Sequence, residues 1–375
     1  MKDGSAVKSI LKEDLDFFSS QIRIFIHELK IKNEFEYKSN NLVCKSLTKN
    51  LIEIAESALI SKAKRIRPLF CYWLLRFFSN NQEHYESNLL KATQIAVAIE
   101  ILHNASLIID DIEDGSQERR QKTALHIQYG MPNALNAGSW MYFLALTHFP
   151  HELQPLASKA LLDCHMGQAI DLNSCESKFL NEFFFSNPKE RWEYYEKCVE
   201  LKTTRLILLS AQCLKIVLKI KSLDFEFIKN IVIKYGIIYQ LFDDIKNVFP
   251  EFSGNKLNED LKSGFRSAVS IEYLNLIPEE EKTRIFEILN KGNFYQYIIQ
   301  DDNFITAVKK CFLKAESLLN ETSKYIEDYL GLDNMHCLTI LEIFQAPFSE
   351  IRKNSALKIK ENSFSLNQGF ADYGN

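Results

Sequence analysis

Apolar side chains recur along this chain at spacings of three and four, the period of one helical face, and sustained two-residue alternation with hairpin turns is missing. The pattern predicts helices near residues 12–30, 44–62, 68–79, 86–113, 132–147, 153–174, 189–219, 223–249, 267–275, 279–290 and 302–329. Eight prolines punctuate these runs, and Pro68 marks a helix start. Turn chemistry at Ser253, Gly254 and Asn255, and again at Ser263 and Gly264, predicts a loop after the run that ends near 249. The polar end after residue 350 is expected to fray. The reading is an all-α fold: a single large helical bundle over residues 1–350 around a central cavity, with a flexible tail over 351–375.

Two of the predicted helices break the apolar pattern in the same way. The first ends Ile108, Ile109, Asp110, Asp111, Ile112, Glu113, Asp114, and the second ends Leu241, Phe242, Asp243, Asp244, Ile245, Lys246, Asn247. Adjacent carboxylates directly after buried-type residues are costly unless a cation meets them. On a helix His103, Asp110 and Asp114 share one face, as do Gln240, Asp243 and Asn247. Oxygen-only ligands of this kind suit Mg²⁺, which binds through one or two carboxylates together with substrate phosphates. Two such runs facing one cavity would grip a diphosphate through metal. Taken alone, each run also reads as a solvated acidic helix end.

Basic residues complete the chemistry. Lys62, Lys64, Arg65 and Arg67 precede Pro68, and Arg119 and Arg120 follow the first acidic run. Guanidinium forks match phosphate oxygens. Either cluster alone would read as an ordinary solvated basic patch; the order acid run, then Arg-Arg, favours an anionic ligand bridged by metal. The triplet Lys202, Thr203, Thr204 carries no information by itself.

Composition narrows the field. Hydrophobic residues make up 46% of 375, enough for a substantial core, and a net charge of −4 gives no electrostatic case for nucleic acid. Eight cysteines without a C-x-x-C pair speak against a zinc knuckle and for a reducing, cytoplasmic setting. The first ten residues lack an apolar signal core, and no membrane span is expected.

These pieces resemble the trans-isoprenyl diphosphate synthases, most closely the eukaryotic type of geranylgeranyl diphosphate synthase. The resemblance rests on SKAKRIRP at 61–68, EILHNASLIIDDIEDGSQERR at 100–120, YGMPNALNAGSWMYFLAL at 129–146, MGQAIDL at 166–172, KTTR at 202–205, YQLFDDIKNV at 239–248 and EDLKSGFRS at 259–267. They stand in family order over about 60–270, and the block at 100–120 is the most specific.

The resemblance implies an isoprenoid synthase bundle, Mg²⁺ (three ions, with Mn²⁺ as a substitute), isopentenyl diphosphate and an allylic diphosphate as substrates, and a homodimer. It implies that Lys64, Arg67, His103 and Arg120 hold isopentenyl diphosphate. Asp110, Asp114 and Asp243 would ligate metal, and Arg119, Lys202, Thr203, Gln240, Asn247 and Lys256 would contact the allylic diphosphate. Small residues at Ala105 and Ser106, where the family's short-product enzymes carry aromatics, imply a tunnel deep enough for a geranylgeranyl chain or longer. Its floor would fall among Trp140, Tyr142, Phe143 and His148, each of which also reads as plain core.

Three departures stand out. Lys62-Ala63-Lys64 replaces a Gly-Gly-Lys opening, Phe265 followed by Arg266 stands where a lysine is usual, and the loop from Asn247 to Lys256 is shorter. They leave open a class I terpene cyclase on the same scaffold. A non-catalytic partner subunit, and prenyl transfer to a non-isoprenoid acceptor, are further alternatives. Retained Lys64, Arg67 and His103 favour elongation, because a cyclase has less need of a second diphosphate pocket.

Overall fold

A computed structural model describes residues 2–36, 42–79, 84–174, 177–249, 267–290, 297–298 and 301–354. Apart from one two-residue hairpin, its regular structure is helical. The all-α expectation therefore holds. The chain falls into two compact units. One comprises 1–161, 206–229 and 330–343; the other comprises 162–205, 230–329 and 344–375.

In the first unit α1 (Lys2–Glu36), α2 (Leu42–Ile60), α3 (Ile66–Phe78), α4 (Tyr85–Glu113) and α6 (Met131–His148) pack together, with a short α5 (Leu125–Gln128) beside α4 and α6. Helix α4 is the centre. Its buried positions run almost continuously from Ala92 to Ala105, so no polar face develops. By length and composition α4 could cross a membrane, with mean hydropathy 1.5 over its most apolar window, but 72% of that window is buried by protein, as in a core helix. Gly138 lets α6 close onto α4: a methyl group added there would lie 2.8 Å from Ile109 Cδ1. Trp73 of α3 stacks between Phe70 and Phe77 at 5.7 and 5.3 Å, and its indole nitrogen donates to the His336 carbonyl. After α4 comes a hairpin, β1 (Glu118–Arg119) paired antiparallel with β2 (Lys122–Thr123), which apolar periodicity did not foretell.

The second unit holds much of α7 (Gln154–Asn173), then α8 (Ser177–Phe185), α9 (Pro188–Val199), most of α11 (Ser222–Asn247), α12 (Ala268–Leu276), α13 (Glu279–Asn290) and nearly all of α14 (Asp302–Leu330). Helix α10 (Arg205–Val217) and α15 (Met335–Gln345) lie largely in the first unit. The single helix expected near 189–219 is instead α9, a π-helical segment over Glu200–Thr204, and α10. Helices α8 and α15 were not anticipated either.

The start of α9 is written in sequence: Asn187 and Glu190 form a reciprocal capping box around Pro188. Buried Arg191 donates to the carbonyls of Phe184 and Ser186 at the end of α8 and to Asn275 Oδ1 on α12, fixing three helices at once. Tyr235 stacks on Phe344 at 4.1 Å and Phe242 on Phe348 at 4.6 Å, so the α11 stretch leading to the second acidic run is bedded in aromatic packing.

Candidate active site

The first unit brings together the residues predicted to bind isopentenyl diphosphate. Asp110 ends the last full turn of α4, and Asp114 is the exposed residue that caps it. Asp111 is 4% exposed and accepts from Arg119 Nε at 2.8 Å and Nη2 at 2.5 Å. The same guanidinium reaches Asp110 at 3.4 Å. Asp111 thus serves as Arg119's anchor, Asp110 shares that guanidinium more loosely and is partly exposed, and Asp114 is exposed.

The hairpin places Arg120 and Gln121 at its two-residue turn with φ of 54° and 63°. Such turns prefer Asn-Gly, so left-handed Arg-Gln is strained by about 1–2 kcal/mol per residue. Arg65, just before α3, is also left-handed at φ 51°. Backbone outliers of this kind collect at functional sites. The glycine-poor opening at Lys62-Ala63-Lys64 therefore has its special backbone conformation at Arg65.

Charge is sorted among the arginines. Arg65 pairs with buried Glu100, and Arg119 with Asp111 and Asp110. Among the described residues Arg120 hydrogen-bonds only neutral groups, Ser61 Oγ and, at 3.5 Å, Asn104 Oδ1, with Glu100 in its electrostatic field. Among the described residues no carboxylate pairs with Arg67, whose Nε is buried and without a partner. His103 lies within the field of all four, and burial followed by Arg67, Arg120, Arg119 and Arg65 drives its pKa well below the usual 6.5. A neutral imidazole beside two guanidiniums that hydrogen-bond no described carboxylate has the chemistry to suit a polyanion. Lys64 is exposed.

Ala105 is fully buried, and Ser106 turns its hydroxyl back to the His103 carbonyl at 2.8 Å. Phe143 is 69% exposed and is thereby removed as a tunnel floor. His148 packs edge-on against Phe25 at 4.9 Å and serves the contact between α6 and α1.

In the second unit the π-helical segment carries Lys202 and Thr203. π-Turns are rare and recur at functional sites. Here two glycines make room: a methyl group on Gly167 would lie 2.7 Å from Leu201 Cβ, and one on Gly236 would lie 1.9 Å from Thr204 Oγ1. Lys202 Nζ donates to Asp171 Oδ2 at 2.6 Å. Thr203 Oγ1 donates to Gln240 Oε1 at 2.7 Å, and Gln240 Nε2 donates to Asp244 Oδ1 at 2.9 Å. Asp244 Oδ2 accepts from Tyr195 Oη and from the Ala268 amide. Burial raises the Asp244 pKa to about 7 against those three donors. With both oxygens engaged inside the protein, Asp244 is structural. Its neighbour Asp243 is exposed, and Asn247 ends the helix. Lys256, Phe265 and Arg266 lie outside the described residues.

The profile described as Polyprenyl synthetase matches residues 48–300, well over half of the chain. The chain belongs to the polyprenyl synthetase family. Membership makes this polyprenyl synthetase a trans-prenyltransferase. It is 28% identical over 253 residues to a short chain isoprenyl diphosphate synthase of Methanocaldococcus jannaschii, spanning 65% of this chain and 72% of that one. It is 27% identical to a geranylgeranyl pyrophosphate synthase of Penicillium paxilli, spanning 58% of this chain and 60% of that one. A decaprenyl diphosphate synthase from Rhodobacter capsulatus shares the fold, with TM-score 0.69 and 15% identity over 93% of this chain and 99% of that one.

Among the described residues of this polyprenyl synthetase, no three His, Cys, Asp or Glu side chains gather closely enough to cage a metal. Mg²⁺ takes few protein ligands and completes its shell with water and phosphate. Partly exposed Asp110 and exposed Asp114 and Asp243 are hard oxygen donors of the right kind. Sequence reading missed Glu100, Asn104, Asp171, Tyr195 and Asp244. The last stood in plain view, and only its burial separates its role from that of Asp243.

Proposed function

We propose that the protein condenses an allylic diphosphate with isopentenyl diphosphate to a longer trans-prenyl diphosphate, of geranylgeranyl length or longer, with Mg²⁺. The observation that carries this reading is the pocket of Arg67 and Arg120, without carboxylate partners, beside neutral His103. It offers a diphosphate receptor in addition to the Lys202, Thr203 and Gln240 set. A reaction with one diphosphate substrate would leave those cations unmatched.

Arg67, Arg120, Lys64 and His103 hold isopentenyl diphosphate. Lys202, Thr203 and Gln240 orient the allylic diphosphate, and the lysine stabilises charge as diphosphate departs. Asp110, Asp114 and Asp243 would hold Mg²⁺, which when bound supplies Lewis-acid neutralisation of the leaving diphosphate. As the allylic carbon–oxygen bond breaks, that carbon bonds to the isopentenyl double bond, and the resulting cation gives a proton to the released diphosphate. Positioning and exclusion of water are the protein's main contributions.

We place the enzyme in the cytoplasm as a homodimer. The thiols of Cys71, Cys198, Cys213 and Cys311 and the exposed apolar side chains Met131, Leu135 and Phe143 on α6 support that setting.

Incubating purified protein with Mg²⁺ and farnesyl diphosphate, with and without isopentenyl diphosphate, tests the reading by product mass. A longer diphosphate formed only with both substrates is expected. A hydrocarbon or alcohol from the allylic substrate alone would make it a cyclase, and no turnover would make it a partner subunit.

A further inference from the structure

Glu100 is 2% exposed in the middle of α4. A buried carboxylate needs a counter-charge and filled lone pairs. It finds Arg65 Nη1 and, at 3.0 Å, Asn104 Nδ2. Arg65 then spends its other terminal nitrogen on the carbonyls of Leu59 at 2.5 Å and Ser61 at 3.0 Å, which closes the end of α2.

Asn104 also donates to the Glu100 carbonyl at 2.8 Å, which fixes its amide so that Oδ1 accepts from Arg120. Ser61 meets both arginines, Arg65 through its carbonyl and Arg120 through its hydroxyl. The two left-handed arginines of this unit thus hang on one buried network centred on a single acid.

We propose that Glu100 is a positioning residue for the isopentenyl diphosphate pocket: it withdraws Arg65 from binding and, through Asn104, sets Arg120, so that Arg67 and Arg120 are the guanidiniums left for the diphosphate. This rests on the elongation reading above. Without Glu100, Arg65 competes for the incoming anion and Arg120 loses its fixed direction.

The test uses the full chain with Mg²⁺, comparing wild type with Glu100→Gln, Glu100→Asp and Ser61→Ala. Steady-state constants are measured for both substrates, and isopentenyl diphosphate binding is measured by calorimetry. Glu100→Gln is expected to raise KM for isopentenyl diphosphate about ten-fold and weaken its binding in parallel, with the allylic KM within about two-fold. Glu100→Asp recovers part of the loss, and Ser61→Ala shows a smaller rise of the same kind.

Equal changes in both KM values, or no change for isopentenyl diphosphate, would overturn the assignment. Should Glu100→Gln not fold, part-buried Ser61→Ala decides, and an unchanged KM there overturns it too. Wild type that neither binds isopentenyl diphosphate nor elongates sinks the functional reading itself. Wild type that elongates, with variants that match it, sinks only the role of Glu100.

Discussion

Gly236 and Thr204 approach so closely that a single methyl group on the glycine would sit 1.9 Å from the threonine hydroxyl oxygen. The contact seats the π-helical segment that presents Lys202 and Thr203 against the helix that presents Gln240 and Asp243. Gly236→Ala is expected to destabilise the fold by about 1–3 kcal/mol through overpacking. It should also lower kcat by displacing Lys202 and Thr203. A thermal melt and a rate assay check both, and a wild-type melting temperature would show that the segment yields freely.

Asp110 and Asp243 are the more exposed members of their pairs, whereas Asp111 and Asp244 are tied down inside the protein. Asp110→Ala and Asp243→Ala should each cut Mg²⁺-dependent turnover by about 10³-fold or more while leaving the melting temperature nearly unchanged. Asp244→Ala should instead lower the melting temperature, because it strands the Tyr195 hydroxyl and the Ala268 amide. Calorimetry alongside activity separates the two classes.

Product length is expected to follow the small residues on α4. Replacing Ala105 and Ser106 together by phenylalanine should shorten the product, read by mass spectrometry. Because Ala105 is fully buried, some stability is lost as well. An unchanged chain length in a folded variant would remove the tunnel from this face of α4.

His103 carries a pH signature. Its folded pKa lies well below the unfolded 6.5, so the unfolded chain takes up the proton first as acid is added. His103 therefore contributes stability that is complete above about pH 6.5 and is lost as pH falls below it. His148, lowered by burial alone, adds to the same slope. Melting temperature followed from about pH 8 to 5 should fall, and His103→Gln should flatten part of that fall. An identical slope in the variant would contradict the assignment.

Much was legible without coordinates. Apolar periodicity marked α4, α6, α7 and α11 to within a residue or two, because their apolar positions recur at three and four residues over several turns. It missed α8 and the hairpin, which are short and therefore leave little periodic trace. The π-segment escaped because its one-residue slip hides inside a continuous helical pattern. Lys256 lies outside the described residues, and its expected role stands on resemblance alone.

The order of residues by itself determined the chemistry on offer: two acidic helix ends, flanking arginines and a KTTR stretch suited to diphosphate and a hard cation. It could not tell Asp243 from Asp244, or Arg65 from Arg67, since adjacent or near-adjacent residues of one type read alike. Packing made those decisions. Burial forces a charge to find partners within the protein. Glu100 took Arg65, and Tyr195 and the Ala268 amide took Asp244, whereas Asp243 stayed exposed and no described carboxylate pairs with Arg67.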